Sequence, residues 1–249
     1  MTKLSCNRIV ITATKDKMLH FINGAMPEAE QFSSIIPWID IVCSLNERWF
    51  TMRSWFPMPQ TFYDYDTTKP KYDILSWADA CIERADEYEL YLQVRHRQIS
   101  IEEFTTHFQH QFEAYQVGYD RAVAYQKEEY GVVGWLDYNI MTLGTKWDAD
   151  ITEWEIVEET DDQIALSIYM ETAWCPPFAF LDTVADKYDV KILLYAESEQ
   201  DKLTQLIDIN EGKVLDSTDA DDDDERHRKS MQIRKKLIEI NQELLSRPF

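Results

Sequence analysis

Glycine and cationic residues are both scarce in this sequence, and each shortage disfavours a class of phosphate-binding function. There are only 6 glycines in 249 residues, and no glycine-rich phosphate-binding motif of the P-loop or dinucleotide-binding type is present. Lysine and arginine together number 25 against 46 aspartates and glutamates, which gives a net charge of −21. Because phosphates are bound by cationic side chains, this balance disfavours direct binding of nucleic acid or of an anionic membrane surface.

Metal-binding cysteine pairs and long apolar runs are also absent. Cys6, Cys43, Cys81 and Cys175 include no pair with the spacing of a zinc or iron–sulfur site. No stretch approaches the ~18 apolar residues of a membrane span, and the first residues lack the apolar core of a secretory signal. We therefore expect reduced cysteines, no metal or cofactor, no catalytic motif, and a soluble cytosolic protein.

The apolar periodicity predicts an α+β fold. β-branched residues 8–14 indicate a strand, and the apolar cluster in 15–25 indicates a helix that ends near Gly24. The later elements are predicted as strands at 151–159, 163–172, 191–197, 203–208 and 213–216 and a helix that begins at Pro176-Pro177. Without the central segment, the order strand, helix, strand, strand, helix, strand is that of a ferredoxin-like, split βαβ antiparallel sheet.

The central segment, residues 27–134, has a helical period and is predicted to be an insertion into this domain. Apolar residues three and four apart indicate one helix over 74–92. A second helix begins at the capping box formed by Ser100 and Glu103 and ends before Gly131. Two amphipathic helices joined by a short polar link predict an antiparallel helical hairpin.

Residues 219–249 are expected to form an appendage to the domain of residues 1–218. They combine an acidic run with a basic helix whose apolar residues repeat at helical spacing from Ile233. The acidic run contains Asp221, Asp222, Asp223 and Asp224. Two interpretations stay open: the helix docks on the domain, or it is a detachable element for partner binding or self-association into a homo-oligomer.

A second acidic stretch, residues 148–162, contains no lysine or arginine. Alternation along 151–159 places carboxylates on one face of a strand and Trp154 and Ile156 on the other. Carboxylates in rows can imitate phosphates, so this surface suits a basic protein that normally binds nucleic acid. The alternative is an acidic surface that only solubilises the protein. The residues predicted to bind a partner are Glu153, Glu155, Glu158, Glu159, Asp161 and Asp162, with the acidic run as a second patch.

Two tryptophan motifs resemble the signature stretches of a known family. They are Gly144-Thr145-Lys146-Trp147-Asp148-Ala149 and Thr172-Ala173-Trp174-Cys175-Pro176-Pro177. Together with residues 6–10 and 56–59, they resemble the YubB-like family of phage- and plasmid-borne proteins, although that family usually has serine where this chain has Cys175. The resemblance implies a ferredoxin-like domain from about residue 5 to residue 197 and a mobile-element setting inside bacteria. It implies no catalytic residues.

The tryptophan motifs allow a structural and a functional interpretation. In the first, Gly144 supplies a turn and the indoles of Trp147 and Trp174 pack on the sheet. In the second, Lys146, Trp147, Trp174 and Cys175 surround a small-molecule or enzymatic site. The sequence as a whole favours a non-catalytic phage or plasmid accessory protein that binds and inhibits a basic host protein. Such a host protein would be a nuclease, a restriction or CRISPR-type complex, or a repair factor.

Overall fold

The chain divides into two compact units. In the computed structural model the described residues are 4–65, 67–68, 71, 73–74, 98, 100–198, 202–218 and 223–245. The sheet unit comprises Met1–Pro57 and Asn139–Phe249, and the helical unit comprises Met58–Tyr138. The helical insertion that the sequence predicts begins at residue 27, before the start of the helical unit at Met58. The boundary lies later in the structure because Trp38, Ile41 and other residues before Pro57 belong to the core of the sheet unit.

The sheet confirms the predicted fold class. Its strands are β1 (Leu4–Thr14), β2 (Phe50–Thr51), β3 (Asp150–Glu159), β4 (Gln163–Ala173), β5 (Lys191–Ser198), β6 (Leu203–Asp208) and β7 (Lys213–Thr218). They form a seven-stranded sheet in the order β2-β3-β4-β1-β5-β6-β7, and every pairing is antiparallel. The inner order β3-β4-β1-β5 is that of the split βαβ fold, and β6 and β7 extend it on one side.

One face of the sheet carries the main core. The described helices are α1 (Lys15–Asn23), α2 (Trp38–Asn46), α3 (Thr61–Asp64), α4 (Ile101–Tyr130), α5 (Trp135–Leu143), α6 (Phe178–Tyr188) and α7 (Asp223–Leu245). Helices α1, α2 and α6 bury Phe21, Ile41 and Phe180 in one apolar cluster with the sheet. The predicted end of this helix near Gly24 is confirmed, since Gly24 is the C-cap of α1. Residues of β1, β3 and β4 belong to this core, and the candidate sites described below lie at the ends of these strands.

Helix α7 covers the opposite face of the sheet. Ile233 and Leu237 are 3% and 4% exposed and pack in one cluster with Val10 and neighbouring sheet residues. The Nζ of Lys236 donates to a carboxylate oxygen of Asp216 on β7 at 2.8 Å. Of the two interpretations that the sequence left open for this helix, the structure shows the docked one.

The helical unit contains α3, α4 and the beginning of α5. The predicted capping box is confirmed, because the hydroxyl of Ser100 accepts from the backbone N–H of Glu103 at 3.1 Å and the Glu103 carboxylate accepts from the N–H of Ser100 at 2.8 Å. Gly131 ends α4 with a φ of 75°. Apart from Ile74, the predicted helix over 74–92 lies outside the described residues. Within the described ranges, no helix combines the length and the hydropathy that a membrane span requires.

Candidate functional site

The two tryptophan motifs are distant in sequence but meet at one end of the sheet. Lys146 and Trp147 precede β3, whereas Trp174 and Cys175 follow β4. The Nζ of Lys146 lies 4.7 Å from the ring centroid of Trp147 and 5.0 Å from that of Trp174. Both distances are within the range of a cation–π contact. The ammonium group is therefore held by two indoles at once.

Both indoles face solvent. Trp147 is 45% exposed and Trp174 is 43% exposed, so neither indole belongs to the buried core of the sheet. The backbone of Trp174, directly after the end of β4, has a φ of 79°, which is in the left-handed region. A left-handed backbone costs a bulky residue on the order of 1–3 kcal/mol, and it persists only where the surroundings impose it.

A buried polar network imposes this conformation on Trp174. Asn7 is 0% exposed, and its amide donates to the hydroxyl of Thr172 at 2.9 Å. That hydroxyl donates to the carbonyl oxygen of Cys175 at 2.7 Å, which closes the turn around Trp174. The hydroxyl of Ser5 donates to the Asn7 carbonyl oxygen at 3.1 Å. Because buried polar groups are costly to leave unpaired, the network resists any change of the turn.

The Cys175 side chain ties the two motifs together. Its Sγ donates to the carbonyl oxygen of Gly144 at 3.0 Å, and burial raises the pKa of this thiol. The hydrogen bond to Gly144 gives Cys175 a structural role between the two motifs. Gly144 has the predicted positive φ, 78°, and a Cβ there would lie 3.0 Å from the backbone nitrogen of Ala179 at the start of α6. Only glycine fits this position without a shift of the backbone.

The loop that carries Lys146 is fixed by side-chain contacts on both sides. The amide of Asn139 donates to the carbonyl oxygen of Lys146 at 3.0 Å. The carboxylate of Asp148 accepts from the backbone N–H of Ala149 at 2.9 Å and from that of Arg53 at 3.2 Å. Burial raises the pKa of Asp148, and these hydrogen bonds oppose the rise. The structure therefore brings the four predicted ligand-site residues together on a loop and a turn that hydrogen bonds hold in place.

Glu153 and Glu155 do not form the uninterrupted row of carboxylates that the sequence predicts. Arg8 on β1 reaches across β4, and its two terminal nitrogens lie 3.2 Å from a Glu153 oxygen and 3.1 Å from a Glu155 oxygen. Exposed pairs of this kind contribute only about 0–1 kcal/mol each. Their main effect is to place a cation inside the proposed phosphate-like row.

Glu158 and Glu159 leave the regular alternation of β3 at a β-bulge. The register shifts between Ile156 and Glu158. Strict alternation would place Glu158 on the same face as Trp154 and Ile156, which is the core face, and the bulge moves it to the other face. Glu159 pairs with Lys15 at 2.8 Å. The simple alternating pattern therefore fails at this end of the strand, and a bulge of this kind cannot be read from the sequence.

The turn between β3 and β4 borders a cavity of about 520 Å³, which we call the acidic cavity. Its rim carries Asp161 and Asp162 from the turn and Asp16 from the start of α1. Its apolar floor consists of Leu19, Ile36, Trp38 and Ile41. None of the three aspartates pairs with a cation among the residues that the structure describes, since Lys15 at the rim is bound to Glu159. The sequence alone does not connect Asp16 and Leu19 with this turn, and Ile36, Trp38 and Ile41 were missed because the predicted insertion, residues 27–134, included them.

The acidic cavity and the tryptophan site lie at opposite ends of β4. This strand has 11 residues, which span roughly 35 Å in extended conformation. The turn with Asp161 and Asp162 precedes the strand, and Trp174 follows it. They are two separate surfaces of the sheet unit.

The acidic run before α7 is only partly described. Asp221 and Asp222 lie outside the described residues, and Asp223 and Asp224 are the first residues of α7. A carboxylate at a helix start interacts favourably with the helix dipole, which gives Asp224 a structural role. In the described part of the chain, no cluster of three or more histidine, cysteine or acidic side chains is arranged to hold a metal ion.

Comparisons with known proteins assign a domain to part of the chain. Residues 153–239 match a family model described as a ferredoxin-like domain in Api92-like protein. This match covers less than half of the chain and runs from β3 into α7. No curated protein matches. Among solved structures, the crystal structure of a protein api92 from Yersinia pseudotuberculosis is similar with 12% identity and a TM-score of 0.36, over 89% of this chain and 99% of that one. The YubB-like resemblance is not confirmed by these matches.

Proposed function

We propose that this chain is a non-catalytic binding protein whose acidic cavity docks a basic protein at a surface where that protein binds nucleic acid. The observation that carries the proposal is the acidic cavity itself, with three aspartates above an apolar floor. Lysine and arginine side chains are complementary to this cavity, because their apolar stem can contact the apolar residues while their cationic group contacts the aspartates. Trp38, which is 9% exposed, adds apolar contact area for the stem of such a side chain.

The cavity and the overall charge have different tasks in this proposal. A well-packed anchor residue typically contributes 2 kcal/mol or more to binding, whereas exposed ion pairs contribute about 0–1 kcal/mol. The net charge of −21 accelerates encounter with a basic surface and makes binding sensitive to salt. Affinity and specificity therefore depend on the acidic cavity, and the rate of association depends on the charge.

Inhibition follows from competition for one surface. A basic groove occupied by carboxylates no longer binds phosphates, so a nuclease, a restriction or CRISPR-type complex, or a repair factor would lose access to its substrate. The tryptophan-motif resemblance supports a phage or plasmid protein that acts inside a bacterial host. Glu153, Glu155, Glu158 and Glu159 then contribute to the general field, while Asp161 and Asp162 make the contact.

The proposal is tested by affinity capture from bacterial lysate at low and high salt. The cavity variant carries Asp16→Asn, Asp161→Asn and Asp162→Asn. The control variant removes the same charge at exposed positions elsewhere, with Asp182→Asn, Asp186→Asn and Glu211→Gln. We expect the wild type and the control to recover one basic nucleic-acid-binding protein at low salt, and the cavity variant to lose it. Equal recovery by the cavity variant, or recovery of no such protein, contradicts the proposal.

A further inference from the structure

The tryptophan site already holds a cation, which shows what chemistry it accepts. The Lys146 ammonium lies over the rings of both Trp147 and Trp174, at 4.7 and 5.0 Å. We propose that these two indoles form a cage for an arginine guanidinium of the basic partner, and that Lys146 fills the cage until the partner arrives. This inference rests on the proposed function and adds a second anchor to it.

Buried hydrogen bonds hold the backbone of the site in one conformation. Trp174 keeps a φ of 79° although glycine would relieve the strain, and the buried hydrogen bonds of Asn7 and Thr172 hold it there. The thiol of Cys175 joins this turn to the loop of Lys146 through Gly144. Strained backbone held by a buried network is typical of binding sites, where the position of a side chain matters more than local stability.

Apolar residues around the cage indicate a surface for a protein. Leu4, which pairs with Ala173 next to Trp174, is 47% exposed, and Phe178 beyond the turn is 38% exposed. Grouped exposed apolar residues mark interaction surfaces, and tryptophan is enriched among the residues that dominate binding. The cage therefore lies in a setting suited to a macromolecular partner.

Arginine is the cation that gains most from replacing Lys146. An exposed cation–π contact changes an equilibrium only about two- to fivefold, so Lys146 is displaced at little cost. A guanidinium is planar, stacks on aromatic rings and is less strongly hydrated than an ammonium. A lysine of the partner would merely exchange one ammonium for another. The net charge of −21 favours the approach of a cationic partner over an anionic one.

The cage can be tested without a partner protein, by titration with ethylguanidinium and, for comparison, ethylammonium. Protein with 15N-labelled tryptophan reports binding through the indole N–H signals. We expect saturable shifts of the Trp147 and Trp174 signals with ethylguanidinium and weaker shifts with ethylammonium. Lys146→Ala should tighten ethylguanidinium binding about two- to fivefold, because the internal competitor is removed.

Two further variants separate the cage from general effects. Lys213→Ala removes the same charge at an exposed position on β7 and should leave the affinity unchanged. Trp174→Gly removes one ring while it relieves the backbone, and it should abolish the shift of Trp147. The inference is overturned if Lys146→Ala binds no more tightly than Lys213→Ala, or if the two cations bind equally. Because no partner is used, this result is independent of the acidic cavity and of what the capture experiment recovers.

Discussion

Trp174 is the residue at which local preference and observed conformation conflict most clearly. Its φ of 79° belongs to a region that glycine occupies freely and that bulky side chains avoid. The sequence shows a tryptophan before Cys175 and two prolines, which predicts the start of a helix but no left-handed backbone at the tryptophan. The conformation depends on Asn7 and Thr172, and their contact across β1 and β4 follows from the sheet register.

Trp174→Gly should be more stable than Trp174→Ala, because the backbone of residue 174 has a positive φ. Both substitutions remove the ring, and only alanine keeps a Cβ in the left-handed region. We expect the glycine variant to be more stable than the alanine variant by about 1 kcal/mol in urea unfolding. An alanine variant at least as stable as the glycine variant would show that the turn is not strained.

At the scale of elements, the strands and helices with long apolar periods were predictable from sequence. The strand over 203–208, its partner across Gly212 and the helix after Ser100 are all confirmed. The two-residue strand β2 was not, because it exists only through its pairing with Ile151. The sequence also left open where α7 lies. A hint was present in β5, because its near-continuous apolar run is typical of a strand buried on both faces, and α7 is the element that covers the second face.

The docking of α7 can be measured with a pair of neighbouring substitutions. Leu237 is 4% exposed and Ile238 is 51% exposed on the same helix. Leu237→Ala should lower the free energy of unfolding by about 2–5 kcal/mol because it leaves a cavity against the sheet. Ile238→Ala should change it by about 0.5 kcal/mol or less. Small effects of both substitutions in chemical denaturation would mean that the helix is detached in solution.

The ion pair between Lys236 and Asp216 makes the docking of α7 dependent on pH. The hydrogen bond from Lys236 lowers the pKa of Asp216 below its usual value of 3.8. A carboxyl whose pKa is lower in the folded state stabilises the fold above its unfolded pKa, and this contribution is lost as pH falls through the folded pKa. The wild type should therefore exceed Asp216→Asn in stability at pH 6 and lose this advantage towards pH 2.5. Denaturant unfolding of both proteins across this range provides the test, and a constant difference would refute the coupling.

At the scale of the whole molecule, the net charge follows from the sequence, but the sequence does not show where the unpaired carboxylates lie on the folded surface. The net charge of −21 predicts a surface suited to basic partners, yet Glu153, Glu155 and Glu159 lie beside cations of the same chain. The aspartates of the acidic cavity are the ones that come together above an apolar floor. That arrangement required α1 and α2 to pack beside the β3–β4 turn, which is a tertiary property.

The most direct test of the central claim is competition between this protein and nucleic acid for the captured partner. Fluorescence anisotropy of a labelled duplex bound to that partner is followed while the wild type or the cavity variant with Asp16→Asn, Asp161→Asn and Asp162→Asn is added. We predict that the wild type releases the duplex in a saturable manner and that the cavity variant does not. A ternary complex that retains the duplex, or equal release by both proteins, would contradict docking through the acidic cavity.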